Sequence, residues 1–193
     1  LESFTECGLK WMLEQSGGKD ADSTAQVLGS AIHVIAAQLK DQPSLTLDQL
    51  EAKLKGAWSL IDMNKGWIKD YEYRRAALML QKFYGWHLSN KNELIGVEEK
   101  FEFKLGIAVV SGSIDRVELT SEGKYYIVDL KTGATPISFE DAQSNKQLQS
   151  YQLAVVNDGF KNKLEHQEVA GAQLIFVGDH KGKEAKPRPQ DQV

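Results

Sequence analysis

The stretch YYIVDLKTG, residues 125–133, combines a predicted strand with two groups that could do chemistry. Its first four residues are aromatic or β-branched, which favours a buried strand. Asp129 and Lys131 lie two positions apart, so their side chains share one face near the strand end. Burying such charges costs several kcal/mol unless something compensates them. The compensation could be a structural Asp–Lys pair, a metal ion or a polyanionic substrate.

A second acid, Asp115, lies in the preceding apolar stretch SGSIDRVEL. If the two strands pair through the short turn between them, Asp115 lies beside Asp129. Two neighbouring carboxylates repel each other unless one binds a proton or a cation lies between them. Carboxylate oxygens suit Mg²⁺ or Mn²⁺. Beside such an ion, Lys131 could orient an attacking water or stabilise charge on phosphate oxygens.

His33 lies on a predicted helix over residues 24–40, away from its apolar stripe. The stripe recurs at helical spacing and comprises Leu28, Ala31, Ile32, Ile35 and Leu39. Gly29, one turn before His33, costs a helix up to about 1 kcal/mol relative to alanine. A glycine there predicts the close approach of another part of the chain. His33 is therefore a candidate ligand, although a solvated or core histidine fits the same pattern.

Hydrophobic periodicity divides the chain into a helical half and a sheet half. Helices are predicted over residues 3–17, 24–40, 46–61, 65–89 and 138–156. Strands are predicted over residues 95–105, 107–120, 123–131 and 169–179. The first three strands form an antiparallel meander, and the last helix crosses over to a parallel strand. The fold class is therefore α/β, with a mixed sheet flanked by helices.

Alternation along 95–105 predicts which side chains share a face. One face comprises Val97, Glu99, Phe101 and Phe103; the other comprises Glu98, Lys100, Glu102 and Lys104.

Composition is typical of one soluble domain. The chain has 193 residues, of which 41% are apolar and 26% charged. Its net charge of −4 argues against a non-specific polyanion binder, but not against a nuclease whose metal ligands are acids. We expect a single domain over 1–180, mainly helical over 1–92 and with the sheet core and crossover helix over 93–180. The polar residues 181–193 are expected to form a loose tail.

The compartment is predicted from the same features. Cys7 is the single cysteine, which excludes a disulfide or an all-cysteine metal site within the chain and is typical of a reducing cytoplasm. Neither a secretory signal nor a long apolar run is present, so no membrane partner is expected. The start at Leu1 suggests an excised domain.

Five motifs, GSAIH, VEEKF, GSIDRVEL, YYIVDLKTG and QLQSY, occur in this order. Together they resemble the PD-(D/E)XK nuclease superfamily, over about residues 3–151. More narrowly, they resemble the RecB-type nuclease domain at the C-terminus of bacterial UvrD/Rep-like helicase-nucleases. The resemblance implies a restriction-endonuclease-like mixed β-sheet flanked by helices, with an N-terminal helical segment.

The resemblance also implies roles for individual residues. The implied metal ligands are His33, Asp115, Asp129 and the backbone carbonyl of Leu130. The implied catalytic residues are Lys131, Asp115, Asp129 and Glu98, with Glu99 as the alternative to Glu98. The implied substrate-binding residues are Arg116 and the two members of the QxxxY signature, Gln147 and Tyr151.

The activity implied is an Mg²⁺- or Mn²⁺-dependent DNA exonuclease with one or two ions, acting on linear DNA ends, single- or double-stranded. It would belong to an ATP-dependent helicase-nuclease in double-strand break repair and recombination. The motor would lie in the same parent chain or in a partner subunit, since no GxxxxGK[ST] motif occurs here. The alternatives are a catalytically silent relative that guides DNA or scaffolds a partner subunit, and a stand-alone exonuclease of the phage or CRISPR type.

One departure concerns cysteine. Several relatives hold an iron–sulfur cluster with four cysteines, and Cys7 stands where the first would be. The other three are missing from this sequence, so either the cluster is absent or its other ligands lie beyond Val193. We expect no cluster in this chain.

Overall fold

The computed structural model describes residues 24–60, 66–160 and 168–192. The helices are α1 Thr24–Ala37, α2 Leu47–Leu60, α3 Trp67–Ser89, α4 Phe139–Gln143 and α5 Lys146–Val156. The strands are β1 Glu93–Leu105, β2 Ala108–Leu119, β3 Tyr125–Lys131, β4 Val169–Phe176 and β5 Lys186–Gln190. The helix predicted over 3–17 and Cys7 lie outside the described residues.

The five strands form one sheet in the order β1-β2-β3-β4-β5. Neighbours are antiparallel except β3 and β4, which are parallel because α4 and α5 cross over between them. The prediction of a mixed sheet flanked by helices, with helices preceding it, is confirmed.

Each face of the sheet buries its own apolar core. On one face α1, α2 and α3 pack against β3 and β4, around residues such as Ile32, Leu80 and Leu130. On the other face α5 packs against the sheet, around residues such as Ile127 and Leu148. Alternate residues of β3 therefore enter different cores, as the period of two along a strand requires.

The pairing of β2 with β3 ends one residue before the two acids Asp115 and Asp129. The register runs from Leu119 opposite Tyr125 to Arg116 opposite Val128. One further step along each strand reaches Asp115 and Asp129, in the register that the sequence predicted. Beyond Val128, β3 remains paired with β4 up to Lys131 opposite Phe176. A gap thus opens between β2 and β3 beside the two acids.

The strand β1 does not keep the regular alternation expected from its sequence. Glu98 has a φ of 51°, which few residues other than glycine adopt. Val97 and Glu98 both line one small cavity beside α1, whereas Phe101 and Phe103 enter the core beneath α5. The prediction that Val97 shares the face of Phe101 is wrong, because the left-handed backbone at Glu98 reverses the alternation.

The crossover is two helices rather than the single helix predicted over 138–156. Ser138 begins α4 by accepting a hydrogen bond from the Asp141 N–H, and Asn145 begins α5 by accepting one from the Leu148 N–H. Both side chains are of the type that competes with helical backbone bonding and favours helix starts. The second start, at Asn145, breaks the apolar pattern into two segments.

The expectation of a loose tail over 181–193 is wrong for Lys186–Gln190. This segment is strand β5, antiparallel to β4, and Gln190 is 3% exposed. Pro187 and Pro189 are two positions apart, so both proline nitrogens can point away from β4 on an edge strand. The prolines explain why the sequence reads as irregular.

None of the helices in the described part of the chain carries an apolar stretch sufficient to span a bilayer.

Candidate metal centre

Three side chains from distant segments converge at the open end of the gap between β2 and β3. They are His33 from α1, Glu98 from β1 and Asp115 from β2. Each offers one ligand atom, and these atoms lie within 4.8 Å of one another. The Nδ1 atom of His33 is 3.4 Å from Oδ1 of Asp115. One imidazole nitrogen and two carboxylates form a donor set suited to a divalent cation such as Mn²⁺ or Mg²⁺.

Helix α1 brings His33 to this position by packing closely on the end of β3. Leu28 and Ile32 anchor the helix in the core, at 2% and 0% exposure. A Cβ at Gly29 would lie 2.9 Å from Oγ1 of Thr132, the residue that follows Lys131. The close approach predicted from the glycine is therefore found, and its partner is the chain next to the candidate site.

Asp115 is held by the backbone of the neighbouring strand. Its Oδ2 accepts a hydrogen bond of 2.7 Å from the Leu130 N–H. The N–H and the carbonyl of one strand residue point to the same edge. The Leu130 carbonyl therefore also faces the side of β3 on which Asp115 lies.

On the α5 face, three polar side chains form a network around Asp129, which is 3% exposed. Its Oδ1 accepts hydrogen bonds from Gln147 Nε2 at 3.1 Å and from the Tyr151 hydroxyl at 3.2 Å. The Lys131 ammonium donates to Gln147 Oε1 at 2.7 Å and lies 2.9 Å from Asp129 Oδ2. Gln147 thus links Lys131 to Asp129 and fixes both side chains.

The acids and the imidazole perturb one another's protonation. Burial raises the pKa of Asp129 to about 6, and the charge of Asp115 adds to that shift although Lys131 opposes it. Burial lowers the pKa of His33, but a hydrogen bond to Asp115 and the charges of nearby acids outweigh it and raise that pKa above 6.5. Neighbouring acids contribute to both shifts, an arrangement that a cation would stabilise.

A buried oxygen of the Asp129 carboxylate bears on whether the site can hold a cation. The buried Oδ2 of Asp129 accepts no hydrogen bond from the described residues, although the Lys131 ammonium lies 2.9 Å away. A buried carboxylate oxygen without a donor is unfavourable by itself. Together with the donor set of His33, Glu98 and Asp115, it fits the binding of a divalent ion.

The neighbouring acids Glu98 and Glu99 of β1 lie in different surroundings. Glu98 belongs to the donor cluster. Glu99 packs against Gly96, since a Cβ on that glycine would lie 2.7 Å from Cγ of Glu99. Of the two acids considered from sequence, Glu98 is the one that the structure brings to the cluster.

Two residues predicted to bind substrate are buried instead. Arg116 is 5% exposed; its guanidinium pairs with Glu118 and lies 3.1 Å from His87 Nδ1. Tyr151 is 7% exposed and donates to Asp129. Contact with a substrate would require the Arg116 guanidinium to leave Glu118, and its substrate-binding role stays a prediction.

An open groove of about 910 Å³ gives access to the cluster. His33, Glu98 and Asp115 line it together with Thr132 and small residues of α1 such as Ser30. Sequence reasoning missed Thr132, although its position directly after Lys131, in KTG, was the available signal.

Comparison with known proteins now adds to this geometry. A family model described as the PD-(D/E)XK nuclease superfamily matches residues 1–193. The chain belongs to the PD-(D/E)XK nuclease superfamily. Comparison with curated proteins gives no match. Among solved structures, protein VC1899 from Vibrio cholerae is 14% identical with a TM-score of 0.32, over 80% of this chain and 43% of that one. The chain thus spans less than half the length of that protein.

Membership in the PD-(D/E)XK superfamily indicates metal-dependent hydrolysis of phosphodiester bonds in a nucleic acid. The cluster of His33, Glu98 and Asp115 is a candidate place for the divalent metal that PD-(D/E)XK nucleases use.

Proposed function

We propose that this chain is a RecB-type nuclease domain that hydrolyses DNA from its ends with Mg²⁺ or Mn²⁺. The observation that carries the proposal is the convergence of His33, Glu98 and Asp115 within 4.8 Å, at the end of the strand that carries Asp129 and Lys131. A structural Asp–Lys pair would require neither the imidazole nor the additional acids.

In this proposal the chain's own groups divide into ligands and catalytic groups. His33, Asp115, Asp129 and the Leu130 carbonyl hold one or two ions, with Glu98 at the same cluster. A bound ion would polarise water and neutralise charge on the phosphate. Lys131 orients the attacking water and stabilises charge that develops on the phosphate oxygens.

Gln147 and Tyr151 act as positioning residues. Gln147 accepts from Lys131 and donates to Asp129, and Tyr151 donates to the same carboxylate oxygen. These contacts hold the amine and the acid at fixed separation, as a preorganised site requires. Half-buried Gln147 lies nearer the surface and can also contact the DNA.

The wider context is proposed from the sequence motifs. The domain would work beside an ATP-driven helicase motor, in the parent chain or a partner subunit, during double-strand break repair and recombination. The N-terminal histidine motif, the GSIDR motif and the QxxxY signature support the RecB-type assignment within the superfamily.

A cleavage assay tests the proposal. End-labelled linear DNA, single- and double-stranded, is incubated with Mg²⁺, with Mn²⁺ and with a chelator, and covalently closed circular DNA serves as the matched substrate without ends. We expect metal-dependent loss of the linear substrates and resistance of the circles. Cleavage of circles at the same rate would replace the exonuclease assignment by an endonuclease, and no cleavage of any substrate with either metal would overturn the proposal.

A further inference from the structure

Basic residues concentrate in the turn between β4 and β5, although the chain as a whole has a net charge of −4. Residues 177–188 read VGDHKGKEAKPR, with four basic residues and two acids. The basic residues are Lys181, Lys183, Lys186 and Arg188. A positive segment on an acidic chain indicates a surface that meets an anion.

This turn begins against the strand end that carries the candidate catalytic lysine. The Val177 N–H donates to the Lys131 carbonyl at 2.9 Å. A Cβ at Gly178 would lie 2.0 Å from the Thr132 carbonyl oxygen, so only glycine allows the two segments to touch. Thr132 itself lines the groove of the metal centre. Thr132 therefore contacts the start of the basic turn and also lines the groove of the metal centre.

The base of the turn is fixed by Asp179, which is 5% exposed. Its Oδ1 accepts a hydrogen bond of 2.8 Å from the Lys181 N–H. Its carboxylate also pairs with the Lys186 ammonium, and its backbone carbonyl accepts from Lys82 of α3. Because Lys82 is 2% exposed and bonded to this carbonyl, the turn is attached to the helical layer at its root.

Two lysines on the turn present exposed side chains. Lys181 and Lys183 are exposed, and within the described part of the chain neither ammonium forms an ion pair. Lys183 lines a groove of about 450 Å³ together with Lys82 and Ser89 of α3. A fixed turn that presents unpaired ammonium groups is free to bind phosphates without first breaking internal contacts.

We propose that the β4–β5 turn binds the phosphodiester backbone of the substrate strand that flanks the scissile bond. This inference rests on the proposed function for the identity of the substrate. A fully extended chain would place the Cα atoms of Lys181 and Lys183 at most about 10 and 17 Å from that of Gly178. At 3.4 Å per nucleotide of one strand, that reach corresponds to at most about three to five nucleotides beyond the point where Gly178 contacts Thr132. Contacts to backbone phosphates position a strand without reading its sequence.

Binding measurements with a double variant test the inference. Fluorescence anisotropy of labelled single- and double-stranded oligonucleotides is recorded with a chelator present, over a series of salt concentrations. If two phosphate contacts are lost, the Lys181→Gln/Lys183→Gln variant should lower the slope of log K against log salt by about 1.4 for single strands and 1.8 for duplex. Affinity at 50 mM salt should fall about tenfold or more, equally for unrelated sequences.

A matched control places the same charge change away from the turn. Lys55 is an exposed residue of α2, and Lys124 precedes β3, whose opposite end carries Lys131 about 20 Å away. Among the described residues that line the groove of Lys183 or the groove of the metal centre, neither of these lysines is found. The Lys55→Gln/Lys124→Gln variant should keep the wild-type slope.

The outcomes separate the two proposals. Equal slopes for the two double variants, or a slope unchanged by the Lys181→Gln/Lys183→Gln change, would overturn the inference even if the wild-type chain cleaves DNA. A wild-type chain that cleaves nothing, but binds with a slope that depends on Lys181 and Lys183, would overturn the proposed function and support the backbone-binding turn.

Discussion

The Asp115 carboxylate accepts a hydrogen bond of 2.7 Å from the Leu130 N–H, across the gap where β2 and β3 part. A side chain here takes the bonding position that a backbone carbonyl would occupy in a regular sheet. The bond ties the acid of one strand to the strand of Asp129 and Lys131. The relative position of the acids is therefore set by the sheet and not by flexible loops.

Lys131→Ala should reduce metal-dependent cleavage of linear DNA by at least about a hundredfold, because the ammonium beside Asp129 is the candidate stabiliser of charge on the phosphate. The measurement is the initial rate with Mg²⁺, together with the thermal midpoint of unfolding as a check on folding. Lys104→Ala, an exposed lysine of β1, should cleave like wild type. Wild-type rates for Lys131→Ala would remove the lysine from the mechanism.

His33→Ala should weaken binding of Mn²⁺ by about tenfold or more, since it removes the only nitrogen donor from the cluster of described ligands. Isothermal titration calorimetry at constant pH measures the affinity without reference to cleavage. His180→Ala is the matched control, because His180 is exposed and outside the cluster. Equal affinities for wild type and His33→Ala would show that the imidazole does not bind the ion.

Two glycine-to-alanine changes within helices should have opposite effects on stability. Gly56→Ala in α2 meets no atom within 4 Å and should raise the free energy of unfolding by about 0.5–1 kcal/mol. Gly29→Ala in α1 places a Cβ 2.9 Å from Thr132 Oγ1 and should lower it. Urea denaturation measures both changes.

A double variant isolates the cause of the Gly29 effect. Thr132→Ala removes the oxygen that the new methyl group would meet, so Gly29→Ala should be less destabilising in that background. If Gly29→Ala stabilises the chain as much as Gly56→Ala does, α1 does not pack closely on the end of β3.

Stability should fall as the pH decreases from 6.5 to about 4, in part because of His87. Burial, and then the charge of Arg116, lowers the folded-state pKa of this histidine to about 4, against 6.5 when unfolded. Between these values the unfolded chain binds a proton that the folded chain does not, so protonation favours unfolding. Glu118 also faces the pair and binds Arg116.

Urea midpoints at pH 7.5, 6, 5 and 4.5 measure this dependence. Because carboxylates contribute to every variant, the informative quantity is the difference from wild type. His87→Gln should lose less stability than wild type over this interval, whereas His180→Gln should follow wild type. Parallel curves for wild type and His87→Gln would mean that the histidine is not held neutral by its surroundings.

The sequence predicted strands β1 to β4 and the approach of Asp115 to Asp129 because both follow from local periodicity. Alternation and the short turn set the β2–β3 register, which leads to Asp115 and Asp129. The left-handed backbone at Glu98 was not predictable, since nothing in VEEKF marks a positive φ at a non-glycine residue. The partners of Arg116 were not predictable either, because Glu118 lies on the same strand and His87 on a distant helix.

The short strand β5 also protects the sheet against association with other molecules. It covers the outer edge of β4, a strand whose side chains are almost all buried. Its own outer edge carries prolines at alternate positions, which cannot donate to a further strand. Removing residues 186–192 would therefore leave an apolar edge that other chains could extend, and the protein would self-associate and precipitate.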